Sequence, residues 1–233
     1  MSEKSKELIR VDIVTGFPDM FASVLGASIL KIAQEKGVAK IVLHNLHDYA
    51  DDKFRHIDDS PFGGGAGMIL KCEPVFKCVE SLKKERDYDE VIYMSADGVT
   101  LKQSLANQLS LTSNIIIICG HFKGIDQRIR EALVTMEISL GDFVLTGGEL
   151  PAMVLVDSIV RLIPGAMSDA ESGLEDSFQN GLLEAPFYTR PAEYRGMSVP
   201  DELLSGDHKK IKKWREDQAI KKTKERRPDL LID

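Results

Sequence analysis

Three short stretches place glycines where a main chain would have to come close to a ligand. They are Ala96-Asp97-Gly98, Gly120-His121-Phe122-Lys123-Gly124, and Gly141 to Gly148 within the run ISLGDFVLTGGELPAMVL at 138–155. Each follows an apolar run of strand character. Glycine lets backbone approach a bound molecule, and the amides at the start of the helix marked by Glu149 and Pro151 are unpaired donors. Ligands of open parallel sheets bind at the carboxyl ends of the strands, so the repetition predicts one cofactor pocket at that edge rather than three unrelated turns.

Two more features suggest chemistry. The segment 48–67 is too long for an ordinary connection and holds Lys53, Arg55, His56, Asp58 and Asp59 before Pro61-Phe62-Gly63-Gly64-Gly65-Ala66-Gly67. No Gly-Lys-Ser/Thr follows, and Met68 stands where a dinucleotide fingerprint needs its last glycine, so neither phosphate motif is present. Apolar residues bracket it, which favours a ligand-facing loop over a linker. The helix expected over 149–163 is apolar nearly all round, buried by the core, by a partner chain, or by both. After its first turn its only charges are Asp157 and Arg161, spaced to form a local ion pair. A permanent cation on such a helix is costly unless it has a purpose.

The elements that must position these residues follow from periodicity. Segments 8–17 and 39–46 read as strands around a helix at 19–36 that stops at Gly37. A helix at 73–84, a strand at 90–96 ending in Asp97-Gly98, a helix at 101–111 and a fully apolar strand at 114–119 come next. Asp126 leads a helix through Val134, and 136–140 is the last strand. The alternation predicts an α/β fold with a parallel sheet and helices on both faces. Small acidic residues at 168–175 read as a flexible linker. It separates a domain at 1–167 from a small, mostly helical domain at 176–233, too short to hold much core alone.

Length, at 233 residues, allows a proper core. The first residues lack the apolar run of a signal peptide and no window has the length of a membrane span, so a cytoplasmic protein is expected. Cys72, Cys78 and Cys119 are odd in number and form no Cys-x-x-Cys pair, which points to small core residues rather than disulfides or a zinc site. The net charge of −7 hides an asymmetry. Between Lys209 and Arg227, Lys209, Lys210, Lys212, Lys213, Arg215, Lys221, Lys222, Lys224, Arg226 and Arg227 face only Glu216, Asp217 and Glu225. That end suits a polyanion; a solvated charged helix is the plainer alternative.

The runs IDDSPFGGGAGM at 57–68, GHFKGID at 120–126, SLGDFVLTGGELPA at 139–152, RLIPG at 161–165, EDSFQNGLL at 175–183 and FYTRP at 187–191 together resemble the bacterial tRNA (guanine-N1)-methyltransferase family, TrmD, in order along essentially the whole chain. The resemblance implies a SPOUT-class methyltransferase with a deep trefoil knot and a homodimer with its active site at the subunit interface. It implies methyl transfer from S-adenosylmethionine to N1 of guanosine 37 in the tRNA anticodon stem-loop, with magnesium dependence possible. Carried over by motif, Gly120, Leu140, Gly141, Asp142, Phe143, Val144 and Leu145 line the cofactor, with Tyr93, Ser95, Gly147, Gly148 and Pro151 nearby. Asp176 corresponds to the general base and Arg161 to its electrophilic partner. Asp58, Asp59, Gly63, Gly64, Gly65, Tyr188 and Arg190 fall on the tRNA side, where Lys209, Lys210 and Lys213 join them as basic contacts.

The sequence departs from that family at three places. Lys123 stands where many members have Glu, His121 where they have Arg, and Ala96-Asp97-Gly98 replaces a frequent Pro-containing turn. The Lys123 change removes any carboxylate role in metal or guanine contact, and Lys there could contact a phosphate instead. Competing readings are the same fold acting on ribosomal RNA or a ribose hydroxyl, and an RNA-binding module without catalysis. The presence of both Asp176 and Arg161 weighs against the last.

Overall fold

The computed structural model describes residues 9–167 and 176–231, so the expected linker at 168–175 lies outside the described residues. The chain divides into two compact units, Met1–Ser168 and Asp169–Asp233. In the first, β1 (Ile9–Thr15), a 3-10 turn (Pro18–Phe21), α1 (Ala22–Leu25), α2 (Ser28–Glu35) and β2 (Ala39–Asn45) are followed by the short strands β3 (Asp58–Asp59) and β4 (Ile69–Leu70). Then come α3 (Cys72–Glu85), β5 (Glu90–Thr100), α4 (Gln103–Leu109), β6 (Asn114–Cys119), α5 (Gln127–Leu133), β7 (Met136–Ser139) and α6 (Glu149–Val160).

Five of these strands form a parallel sheet in the order β2-β1-β6-β5-β7. Its centre explains the apolar run at 114–119. Ile115, Ile117 and Cys119 enter one core with residues of α2, α4 and α6, while Ile116 and Ile118 enter a second with α3 and α5. A strand covered on both faces has no side left to be polar.

Several expected elements differ. The helix over 19–36 is broken: Gly26 ends α1 by donating to Ala22 O at 3.2 Å, and Ser28 has a φ of +49°. Phe21, which closes the 3-10 turn before α1, is fully buried in the core. β5 does not stop at Asp97-Gly98 but continues to Thr100, because Ile138 of β7 pairs with both Met94 and Val99 and the residues between bulge out. A Cβ at Gly98 would lie 2.5 Å from the Glu137 carbonyl carbon, so the bulge has no room for a side chain. α6 ends at Val160, with Arg161 as its C-cap. It is not covered all round within this chain, since Leu150 and Val154 are each 48% exposed.

The second unit contains a small hairpin of β8 (Glu193–Tyr194) and β9 (Met197–Ser198), then α7 (Asp201–Leu204), α8 (His208–Arg226) and a 3-10 turn (Pro228–Leu231). α8 is long because Asp207 caps it, accepting from the amides of Lys209 and Lys210. Thr223 ties it to the preceding segment by accepting from Leu183 N at 2.9 Å, and Lys222 donates to Glu184 O at 2.9 Å.

One polar group sits in the sheet itself. Asp12 on β1 is fully buried and accepts from Arg10 at 2.6 and 2.8 Å and from Tyr88 at 2.8 Å, with His44 Nε2 2.7 Å away. Burial pushes the carboxyl's pKa up, but the hydrogen bonds from His44, Arg10 and Tyr88 outweigh it and hold it well below the usual carboxylate range. A depressed native pKa contributes stability that is complete above the unfolded value near 4 and is lost as pH falls below it. Asp12→Ala should therefore cost about 3 kcal/mol in urea unfolding at neutral pH, leaving Arg10 and Tyr88 without their acceptor, and the deficit should shrink as the pH is lowered through 4. A variant as stable as the parent at pH 7 would remove Asp12 from this role.

Candidate functional site

A cavity of about 340 Å³ opens at the carboxyl edge of the sheet. Tyr93 to Asp97 of β5, Gly120 to Ile125 after β6, and Ile138 to Leu140 with Phe143 to Gly148 after β7 line it. All three glycine-bearing stretches thus reach one cavity, although the first enters as a bulge rather than a strand end. Tyr93, Ser95, Gly120, Leu140, Phe143, Val144, Leu145, Gly147, Gly148 and Pro151 are on its wall. Gly141 and Asp142 are not among the lining residues. Gly141, at φ +146°, shapes the turn from behind: its amide donates to Ser139 Oγ at 3.1 Å and its carbonyl accepts from Phe143 N at 2.9 Å.

The wall depends on close backbone contact. Gly148 N donates to Gly120 O at 2.6 Å, joining the connection after β6 to the one after β7. A Cβ on Gly148 would sit 2.9 Å from Cys119 Cα and from Gly120 N, and one on Gly120 would sit 2.9 Å from the Tyr93 ring. A Cβ on Gly147 would overlap both Glu149 Oε2 and His121 Nδ1. Any side chain here would fill the space or part the loops.

His121 and Glu149 form a pair that sequence reasoning missed. Glu149 is only 1% exposed, accepts from Thr15 Oγ1 at 2.9 Å, and has His121 Nδ1 at 3.2 Å from its other oxygen. The His121 ring lies 4.2 Å from that of Phe17 and 5.1 Å from that of Phe122, which gives the cavity an aromatic flank. Arg130 is the second omission. It bridges Glu137 at 2.9 and 2.5 Å and Asp97 at 2.7 Å, and its guanidinium lies 5.7 Å from the centre of the Tyr93 ring. Hydrogen bonds from Arg130 and Ser95 hold the Asp97 carboxyl down at about 2. Burial pushes the Tyr93 phenol up to about 12, so it stays neutral, and burial likewise raises the Cys119 thiol well above its ordinary value. The wall offers fixed dipoles and apolar surface rather than a reactive thiolate.

Arg161 is half-buried at the end of α6, its amide donating to Asp157 O at 3.2 Å, and is not among the lining residues. Asp176, in the second unit, is half-buried and opens the turn at 176–180, its carbonyl accepting from Gln179 N at 3.3 Å. In the loop before β4, Asp58 is half-buried while Asp59, Gly63, Gly64 and Gly65 are exposed. Tyr188 and Arg190 are exposed on the wall of a separate cavity of about 390 Å³ within the second unit, shared with Leu204, Ile211 and Arg215. Lys209, Lys210 and Lys213 are exposed on α8. Among the described residues no three His, Cys, Asp or Glu side chains converge on a metal position.

The family described as tRNA (Guanine-1)-methyltransferase TrmD matches residues 9–233. A tRNA (guanine-N(1)-)-methyltransferase of Bacteroides thetaiotaomicron is 58% identical over 225 residues, covering 97% of this chain and 100% of that protein. The protein of the same name from Chlorobaculum tepidum is 56% identical over 223 residues, 96% of this chain and 97% of its own length.

Gly148→Ala should test the contact on which the wall rests. Because the added methyl meets backbone rather than a flexible side chain, a loss of about 1–3 kcal/mol is expected, read as a lowered thermal midpoint. A midpoint equal to the parent's would show that the two connections separate freely.

Proposed function

The chain belongs to the tRNA (guanine-1)-methyltransferase family, TrmD, and from that membership we propose that it transfers a methyl group from S-adenosylmethionine to N1 of guanosine 37 in tRNA, next to the anticodon. The observation that carries this reading is the cavity built by three glycine-bearing stretches in a chain matched by the family from residue 9 to 233. When bound, the cofactor supplies an electrophilic methyl on a positively charged sulfur. The cavity suits it: Gly120, Gly147 and Gly148 leave no room for a Cβ, and the walls combine backbone, aromatic and aliphatic groups with the polar side chains of Ser95, Asp97, His121, Lys123 and Arg130. Its part in the reaction is to align the methyl with N1 and exclude water.

Guanine N1 carries a proton and is a poor nucleophile. Its pKa lies about two units above neutrality, so deprotonation costs on the order of 3 kcal/mol. Asp176 is assigned as the base that accepts this proton, a task typically worth about 10² to 10⁴-fold. As the proton leaves, negative charge grows on O6, and Arg161 is assigned to stabilise it with its permanent guanidinium charge. With its proton on Asp176 and the charge on O6 met by Arg161, N1 holds the lone pair that would accept the cofactor's methyl, and loss of that methyl would leave the sulfur neutral. Among the described residues no three metal-ligating side chains converge, and the steps above are written for side chains alone.

Several structural readings go with the proposal. The deep trefoil knot is assigned to the two connections that meet at Gly120 and Gly148. A homodimer with the active site at its interface would cover Leu150 and Val154 on α6. Residues 1–167 would form the methyltransferase domain, 168–175 a linker, and 176–233 a tRNA-binding domain presenting the basic α8. No helix among the described residues is long and apolar enough to cross a membrane, and a cytoplasmic location follows from a tRNA substrate.

Labelled S-adenosylmethionine should label an unmodified tRNA with guanosine at positions 36 and 37, and mass spectrometry should find the methyl on N1 of residue 37. Binding of the cofactor without transfer would defeat the reading. Asp176→Asn should abolish turnover while cofactor affinity stays within a few fold; retained turnover would exclude Asp176 as the base. Arg190→Ala, or Ala at Lys209, Lys210 and Lys213 together, should weaken tRNA binding and flatten its salt dependence. Unchanged binding would make α8 merely a solvated helix.

A further inference from the structure

Lys123 lies on the cavity wall, and the mechanism gives it no task. Its backbone is pinned to the loop that precedes β4: Lys123 N donates to Met68 O at 3.0 Å, Leu70 N to Gly124 O at 3.0 Å, and Asp126 N to Leu70 O at 3.1 Å. A parallel bridge between Leu70 and Ile125 completes the seam. These bonds seat the glycine-rich loop on the connection after β6.

The Lys123 side chain then runs along the glycines. A Cβ at Gly67 would meet its Cβ and Cδ at 3.5 Å, and a Cβ at Gly65 would lie 3.8 Å from Nζ. The ammonium therefore sits where the cavity opens onto the loop. Gly63, Gly64, Gly65 and Gly67 are exposed with φ of +83°, +79°, +112° and +94°, so no side chain from these positions screens the charge. The acids of the same wall and turn are already engaged: Asp126 with Arg128, Asp97 with Arg130 and Glu149 with His121. Among the described residues no ion pair includes Lys123.

We propose that Lys123 and the exposed Gly63–Gly65 loop bind a backbone phosphate of the RNA strand whose base enters the cavity. The proposal rests on the reading of the protein as a tRNA methyltransferase. A base that must react at a ring atom has to leave its stack, and its backbone must then be held while the base is inserted. An ammonium at the cavity mouth, beside a loop with no side chains in the way, can meet a phosphodiester oxygen there. The carboxylate of the cofactor is the competing anion that the test below separates from a phosphate.

The test compares tRNA binding by the full-length parent, Lys123→Ala, Lys123→Arg and Lys123→Glu across a salt series, with cofactor affinity measured by calorimetry. Loss of one phosphate contact should lower the slope of log affinity against log salt by about 0.7–0.9 for Lys123→Ala. Lys123→Arg should keep the parental slope, and Lys123→Glu should bind more weakly than Lys123→Ala. The KM for tRNA should rise several-fold in Lys123→Ala while kcat stays near the parent's, and cofactor affinity should not change. An unchanged slope in Lys123→Ala would overturn the proposal, as would a loss that falls on cofactor affinity instead. Failure of the parent itself to bind tRNA would overturn the tRNA reading first, and this inference with it.

Discussion

Two chain connections meet in this protein with no side chain between them. Gly148 donates its amide to the Gly120 carbonyl at 2.6 Å, and a methyl on Gly148 would lie within 2.9 Å of the neighbouring backbone. The rest of the edge is arranged to hold that contact. β6 and β7 lie on either side of β5, so their following connections leave the sheet one strand apart. α6 begins immediately after Gly148, which points its first amides toward the same place. A cavity wall made of backbone is rigid because its geometry is set by the sheet and not by rotamers.

Two buried carboxylates show how the fold handles charge. Asp12 lies inside the sheet and is met by Arg10, His44 and Tyr88. Glu149 lies at the start of α6 and is met by Thr15 and His121. Each is satisfied by hydrogen bonds, which is the condition for burying a carboxylate at all. Their consequences differ: Asp12 ties together β1, β2 and the segment before β5, whereas Glu149 ties the end of β1 to the cavity wall. Gly147 is part of the second arrangement, since only a residue without Cβ leaves room for the His121–Glu149 pair.

Much of this was legible from local pattern, and what was not depended on distant contacts. The apolar run at 114–119 read as a strand covered on both faces and Gly37 as a helix end, and both readings match the structure. The break at Gly26 and Ser28 was hidden because apolar spacing through 19–36 continues across it, while the positive φ of Ser28 is a backbone feature that side-chain spacing does not report. The bulge before Val99 required knowing that Ile138 has two partners. Glu149 looked like an acid at a helix start, which the helix dipole already explains. Its partners Thr15 and His121 are 134 and 28 positions away, beyond the reach of any local pattern. Arg130 was overlooked for the same reason: nothing in α5 itself indicates that Asp97 and Glu137 will face it.

α8 carries a dense row of lysines and arginines on a unit whose buried described residues are Ala185 and Thr223 alone. Such a helix is held by its Asp207 cap and a few tethers rather than by a deep core, and its like charges oppose it at low ionic strength. A polyanion laid along it would relieve that repulsion, and anything that binds the folded form stabilises it by mass action. A polyanion bound there would raise the melting point of this unit as its own concentration rises, and would serve the unit as a folding ligand.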